Sequence, residues 1–167
     1  MTEPPLPAWA HRPGRTKGAD EGPLEAVKSL VPRVFEGAVP ADHPAFLYGL
    51  RLHDEGFFWE AHEVWEAVWM AAPHNGRDRL ALRALIQIAN AGLKRALNQP
   101  RAAGRLVADA CGYLGELNAR GPALTSGLAE SFDAGAVLRD LQATDLKGPG
   151  SAPLVLLGPA FAAQIRP

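Results

Sequence analysis

Apolar residues along most of this chain recur at helical rather than alternating spacing. The predicted helices cover residues 24–30, 44–56, 57–72, 78–97, 100–117 and 134–142. No two segments show the period-2 alternation that would indicate a pair of strands. The pattern therefore predicts an all-α protein, a compact bundle of about four to six helices with irregular N- and C-terminal tails.

Turn-forming and capping residues mark the boundaries of these helices. Gly56 is placed to end the first long helix at its C′ position, and Pro100 suits the first turn of a later one. Asp78 and Asp133 precede apolar periodic segments, so we expect each of them to cap the helix that follows.

Composition divides the chain into a body and two tails. Residues 1–23 are rich in Pro, Gly and charge and contain little to bury, so we expect a mobile tail. Residues 24–147 are predicted to form a single helical domain, and residues 148–167 a Pro/Gly-punctuated extension. Within that extension, the apolar run Leu154 to Leu157 is expected to dock on the body or on a second copy of the chain.

Length and charge exclude several classes of protein. A chain of 167 residues has the size of one domain, and 47% hydrophobic residues suffice for a core. A net charge of -1 lacks the positive field that non-specific nucleic-acid binding requires. A single cysteine, Cys111, excludes an intrachain disulfide and a cysteine zinc cluster, and no segment resembles a signal peptide or a membrane span. We therefore expect a cytoplasmic protein that binds neither membranes nor nucleic acid.

The strongest candidate for chemistry lies on the helix predicted over residues 57–72. His62 and Glu66 are one turn apart at the edge of its apolar arc, whereas Glu60 and Glu63 are expected to point away from the core. One interpretation is architectural: a buried His62–Glu66 hydrogen bond that keeps two helices in register. The other is catalytic, with His62, Glu66 and Glu63 acting as a general base or as metal ligands in an inter-helix groove.

A polar stripe on the next predicted helix offers partners for this pair. Its residues are Arg83, Gln87, Asn90 and Lys94. If the stripe faces the pair across a groove, Arg83 with Glu66 and Gln87 with His62 are natural contacts. Trp59 and Trp69 lie one turn below and above the pair. Trp59, Trp69, Arg83 and Gln87 are thus the candidate ligand-binding residues.

A second candidate site is basic. Lys94, Arg95, Arg101 and Arg105 are grouped across the turn before Pro100 and would suit an anionic ligand at a helix N-terminus.

The run from Gly49 to Trp69 resembles the domain of unknown function 309 family. It contains the stretch Phe57-Phe58-Trp59-Glu60-Ala61-His62-Glu63, and the later Ile86-Gln87 pair also resembles that family. The resemblance covers residues 44–117. It implies a small all-helical bundle and no particular activity. The positions that match the motif are Glu60, His62, Glu63, Glu66, Trp69 and Gln87. His53 and Trp65 stand where the family more often has other residues, which argues against His53 as a ligand.

Three functions from different classes stay open at this point. The first is a structural, interaction or ligand-binding module with an architectural His62–Glu66 pair and a tendency to self-associate. The second is a metal-assisted or general-base hydrolase that uses His62 and Glu66 on a small-molecule substrate. The third is a binding protein for an anionic molecule at the basic cluster of residues 94–105. The sequence assigns no particular metal or cofactor.

Overall fold

The computed structural model describes residues 3–121, 127–147 and 150–162. Over these residues the chain forms helices and no strand, which confirms the all-α prediction. The helices are α1 (Glu21–Lys28), α2 (Pro44–Asp54), α3 (Phe58–Ala71), α4 (Arg77–Ala96), α5 (Pro100–Ala119), α6 (Ala134–Ala143) and α7 (Gly158–Ala162), with a 3-10 turn at Leu128–Ser131. The predicted helices begin and end within a few residues of these bounds.

Helix α4 lies at the centre of the bundle. It packs against α3 on one side and α5 on the other, while α2 packs on α3 and α6 packs on α5. The core contains apolar residues of α2, α3, α4 and α5, namely Phe46, Leu50, Trp65, Val68, Leu82, Leu85, Ala89, Leu93, Leu114 and Leu117. Ile86 and Leu106 are only partly buried and lie at the edge of this core.

The predicted boundary residues act as expected at three positions and differently at a fourth. Gly56 has a φ of +85°, Pro100 opens α5, and the Asp133 carboxylate accepts a hydrogen bond from the Ala136 amide at 2.8 Å. The prediction that Asp78 caps α4 is wrong, because the cap residue is Gly76. Buried Asp78 instead accepts hydrogen bonds from the amides of Val39 (2.8 Å) and Ala129 (2.9 Å). It ties two distant loops to the start of α4.

Residues 3–20, here called the N-terminal segment, lie along α2 and α3. The Tyr48 hydroxyl donates to the Pro5 carbonyl at 2.6 Å, and Arg51 donates to the Pro4 carbonyl at 2.8 Å. Arg15 reaches the carbonyl of Leu97, just beyond α4. The sequence led us to expect a mobile tail, whereas in the structure the segment contacts three helices of the body.

Residues 150–162, here called the C-terminal segment, pack on the body of the same chain. Asp54, at the end of α2, accepts hydrogen bonds from the amides of Leu157 (2.9 Å) and Gly158 (2.7 Å). The apolar residues buried in this segment are Leu154, Val155, Leu157 and Phe161. Residues 148–149 and 163–167 of the predicted extension lie outside the described residues. Among the helices that the structure describes, none has the length and apolar character needed to cross a membrane.

Candidate functional site

His62, Glu63 and Glu66 form a group on the outer face of α3, here called the α3 cluster. The His62 Nδ1 atom lies 3.6 Å from Glu63 Oε1, and its Nε2 atom lies 3.6 Å from Glu66 Oε2. Both separations exceed a hydrogen-bond distance. All three residues belong to α3, so neither contact reaches a second helix. The contacts within the cluster therefore do not hold two helices in register.

The α3 cluster has the composition of a metal site. Each of its residues can offer one ligand atom, and these atoms lie within 4.8 Å of one another. The side chains are 22%, 28% and 47% exposed for His62, Glu63 and Glu66, so an ion would reach them from solvent. Imidazole nitrogen and carboxylate oxygen together suit zinc and other first-row divalent metals. Three protein ligands would leave coordination positions for water or a ligand.

Glu66 also belongs to a cavity of about 180 Å³ where α3, α4 and α5 meet, here called the groove. The groove is lined by Glu66, Trp69, Arg83, Ile86, Gln87 and Tyr113. The stripe on α4 thus contributes Arg83 and Gln87 to the same cavity as Glu66. The two expected side-chain pairs, Arg83 with Glu66 and Gln87 with His62, are not joined by a hydrogen bond or an ion pair in the described parts of the chain.

The two candidate tryptophans lie in different places. Trp69 lines the groove, and the Arg79 guanidinium covers its ring at 4.0 Å from the centroid. Trp59 packs edge-on against His11 of the N-terminal segment, with ring centroids 4.8 Å apart. The structure therefore brings Trp69, Arg83 and Gln87 together and places Trp59 against another part of the chain.

The basic cluster expected at residues 94–105 is partly used in packing. Arg95 donates to the carbonyl of Ala152 at 3.2 Å and so helps to hold the C-terminal segment. Lys94 is half-buried, whereas Arg101 and Arg105 are exposed on α5. At least one of the four basic side chains thus already donates a hydrogen bond to a backbone carbonyl of the protein itself.

Glu60 was expected to point away from the core, and this prediction is wrong. The residue is fully buried, and its Oε1 atom accepts a hydrogen bond from the His11 amide. Burial raises the pKa of the Glu60 carboxyl, although the His11 amide and nearby Arg12 oppose the shift. A helical wheel drawn for α3 alone gave no sign that another segment covers this residue.

His53 is also fully buried and lies apart from the α3 cluster. Its Nδ1 atom is 2.9 Å from Asp54 Oδ1, and its ring packs against the rings of Phe58 and Trp65. These contacts place His53 in the core between α2 and α3. The structure therefore agrees with the sequence argument against His53 as a ligand of the cluster.

A second cavity, which the sequence did not reveal, adjoins the groove. It has a volume of about 190 Å³ and shares Arg83 and Tyr113 with the groove. We call it the arginine cavity, and its other lining residues are His74, Asn75, Gly76, Arg79, Leu80, Glu116 and Arg120. Arg79 and Arg83 are one turn apart on α4, but Arg120 follows the end of α5. Sequence spacing does not give the register of α5 against α4.

Comparison with known proteins supports the family resemblance. Residues 46–106 match the family model described as a domain of unknown function (DUF309). The matched region contains the α3 cluster and the α4 part of the groove, whereas Tyr113 and Arg120 lie beyond it. No curated protein and no solved structure matches the chain.

Proposed function

We propose that this chain, whose residues 46–106 match the DUF309 family model, is a small-molecule-binding protein with a divalent metal ion at the α3 cluster. The observation that carries the proposal is the position of Glu66. It is one of the three potential metal ligands, and it also lines the groove. A molecule bound in the groove would lie next to an ion held by the cluster.

The groove offers a varied set of contacts to such a molecule. Trp69 and Tyr113 provide aromatic surface, Gln87 provides an amide, and Arg83 provides a positive charge. Apolar and aromatic walls with a few convergent polar groups are typical of small-molecule sites. This combination suits a small polar ligand better than an extended protein partner.

The geometry favours this function over a purely architectural role for His62 and Glu66. An architectural pair would be buried, hydrogen-bonded and shared between helices. Here the two side chains are partly exposed, 3.6 Å apart and on one helix. Their mutual contact therefore contributes little to stability, and surface ion pairs are typically worth less than about 1 kcal/mol.

Metal-assisted hydrolysis is the second candidate function. The observation that favours it is that the cluster supplies three ligands at an open face, as catalytic rather than structural zinc sites do. An ion held by His62, Glu63 and Glu66 would lower the pKa of a bound water enough for that water to act as a nucleophile near neutral pH. Of the three side chains, Glu66 is both the most exposed and the one that lines the groove. A substrate bound in the groove would therefore approach the ion from the side of Glu66.

The proposal is tested by metal titration of the untagged, chelator-treated full chain. Zn²⁺ and Mn²⁺ are titrated by calorimetry into the parent, His62→Gln, Glu66→Gln and the control Asp109→Asn. Asp109 is an exposed carboxylate on α5 outside the cluster and the groove. We expect one ion per chain in the parent and control, and affinity at least about tenfold weaker in the two cluster variants.

Thermal unfolding of the same samples distinguishes a metal-binding role of His62 and Glu66 from an architectural one. The two cluster variants should unfold within about 0.5 kcal/mol of the parent, as substitutions on partly exposed surfaces do. Equal metal affinity in all four proteins, with a loss of about 1 to 3 kcal/mol in the cluster variants, would show that the pair is architectural.

A further inference from the structure

Arg79 lines the arginine cavity and is bound to the end of α3. Its Nη1 atom donates to the carbonyls of Trp69 (3.0 Å) and Ala72 (2.9 Å), at the end of α3. Its guanidinium also lies over the Trp69 ring. A guanidinium has five N–H donors, and these two bonds use only those on Nη1. The donors on Nη2 and Nε are left for another acceptor.

Arg120 and Arg83 complete the group of cations. Arg120 donates to the Asn75 carbonyl at 3.1 Å and forms an ion pair with Glu116. Arg83 lies over the ring of Tyr113, 4.7 Å from its centroid. Within the described residues, no hydrogen bond or ion pair engages the Arg83 guanidinium. The cavity thus contains one guanidinium with no acceptor among the described residues and two others with spare donors.

The charges in the arginine cavity do not balance. Among the described residues that line the cavity, three arginines face one carboxylate, Glu116, which is already paired with Arg120. This local excess of positive charge occurs in a chain whose net charge is -1. The cavity also includes Gly76, the N-cap residue of the 20-residue helix α4. Glycine has no side chain that could accept hydrogen bonds from the first-turn amides of the helix. Asp78 in that turn is buried and accepts bonds from two other loops.

From this arrangement we propose that the arginine cavity binds the phosphate group of a small organic molecule whose remaining part lies in the groove. Guanidinium groups recognise phosphate oxygens through paired N–H donors. The proposal rests on the proposed function in taking the groove as the ligand site. Binding of phosphate itself requires only the cavity and no metal ion at the α3 cluster.

Phosphate fits the cavity better than a carboxylate does. A phosphate monoester carries three terminal oxygens and up to two negative charges, which matches three guanidinium groups from α4 and the end of α5. A carboxylate offers two oxygens and one charge. The exposed Arg101 and Arg105 on α5 are weaker candidates for binding phosphate, because neither lines this cavity.

The test uses the metal-free full chain at low ionic strength, with calorimetric titration of inorganic phosphate, glycerol phosphate and succinate. Arg83→Gln removes the cation that has no hydrogen bond to any described residue, so the variant should retain the fold. Arg105→Gln is the matched control, an exposed arginine on α5 outside both cavities. We expect phosphate affinity to fall about tenfold or more in Arg83→Gln and by less than about twofold in Arg105→Gln. Glycerol phosphate should bind the parent more tightly than inorganic phosphate, because its organic part reaches the groove.

Three outcomes would overturn the proposal. They are no phosphate binding by the parent at millimolar concentration, equal weakening in the Arg83 and Arg105 variants, and tighter binding of succinate than of phosphate. None of these outcomes changes the metal titration, which is carried out without phosphate. Conversely, failure of the chain to bind metal leaves the phosphate result intact, so the two proposals fail separately.

Discussion

Trp65 and Gly49 show how one residue can fix the contact between two helices. A Cβ atom placed on Gly49 would lie only 2.2 Å from the indole Nε1 of Trp65. That indole is fully buried and donates to the Phe46 carbonyl at 3.3 Å. Glycine at position 49 therefore leaves the space into which the Trp65 indole of α3 packs.

We predict opposite effects for alanine at two helical glycines. Alanine gains up to about 1 kcal/mol of helix propensity over glycine. At Gly49 that gain is opposed by overpacking against Trp65, which typically costs about 1 to 3 kcal/mol. Gly49→Ala should therefore be destabilising. Gly112→Ala on α5 should be stabilising by about 0.5 to 1 kcal/mol, because no other described part of the chain lies within 4 Å of a Cβ atom placed there. Urea denaturation measures both, and stabilisation by Gly49→Ala would contradict the packing argument.

At the same scale, the sequence predicted some site residues and missed others for a physical reason. The contact between His62 and Glu66 follows from their spacing on one helix, so it could be predicted. Burial of Glu60 depends on the N-terminal segment, more than 40 residues away in sequence. Periodicity describes which face of a helix is apolar, but it carries no information about which other segment covers a polar residue.

The N-terminal segment is the element whose behaviour differs most from the expectation based on composition. It contributes few large apolar side chains, and its attachment is instead polar. Backbone carbonyls of the segment accept from Tyr48 and Arg51, and Arg12 donates to the carbonyl of Gly56 at 3.2 Å. The backbone amide of His11 in this segment donates a hydrogen bond to one carboxylate oxygen of buried Glu60. Such contacts are invisible to an argument from hydrophobic content.

We predict that deletion of residues 1–20 leaves the helices formed but lowers the free energy of unfolding by a few kcal/mol. Each lost hydrogen bond is worth about 1 kcal/mol. The deletion should also weaken the pH dependence of stability that Glu60 causes. The pKa of Glu60 is raised above its ordinary value of 4.5 in the folded chain, so its contribution to stability falls as the pH rises from 4.5 through the folded pKa. Hydration of Glu60 in the truncated chain should reduce that fall.

Urea denaturation of the full and truncated chains at several pH values from 4.5 to 8 measures both effects. The full-length Glu60→Gln variant is the control, because it removes the titrating group while keeping the segment. Equal stability and equal pH dependence in the full and truncated chains would instead support the mobile tail that the composition predicted.

The helices could be predicted because the residues that begin and end them act locally. The tertiary contacts that these residues make could not be predicted. Gly56 and Pro100 mark helix ends through their own backbone preferences. Asp78 has the sequence appearance of a cap, yet its carboxylate accepts from Val39 and Ala129, residues that only the tertiary fold brings near. The arginine cavity depends in the same way on how α5 lies against α4.

On the scale of the whole molecule, both end segments meet at the junction between α2 and α3. Arg12 of the N-terminal segment donates to the Gly56 carbonyl, and a Cβ on Gly56 would lie 2.9 Å from the Ser151 carbonyl of the C-terminal segment. The Asp54 carboxylate accepts hydrogen bonds from the amides of Leu157 and Gly158. The two ends thus surround one corner of the bundle, while the groove and the arginine cavity lie where α4 meets α3 and α5.

Asp54 is the polar anchor of the C-terminal segment, and its charge should matter to the fold. Burial alone would raise the pKa of this carboxyl, but hydrogen bonds from His53, Leu157 and Gly158 outweigh burial and lower it below 3.8. A lowered pKa means that the folded chain favours the carboxylate. The resulting stabilisation is fully present above about pH 3.8 and is lost as the pH falls through the folded pKa.

We therefore predict that Asp54→Asn lowers the free energy of unfolding at pH 7 by about 1.5 to 3 kcal/mol, the usual range for hydrogen bonds to a charged group. The difference from the parent should shrink as the pH falls below 3.8, because the unfolded parent then binds a proton at Asp54 and the folded parent does so at still lower pH. Asp109→Asn, which removes an exposed carboxylate from α5, should leave stability within about 0.5 kcal/mol of the parent. Denaturation at pH 7 and pH 3, with the elution volume of each variant, provides the measurement. If Asp54→Asn matches the parent at pH 7 in both stability and elution volume, the C-terminal segment is not anchored through this carboxylate.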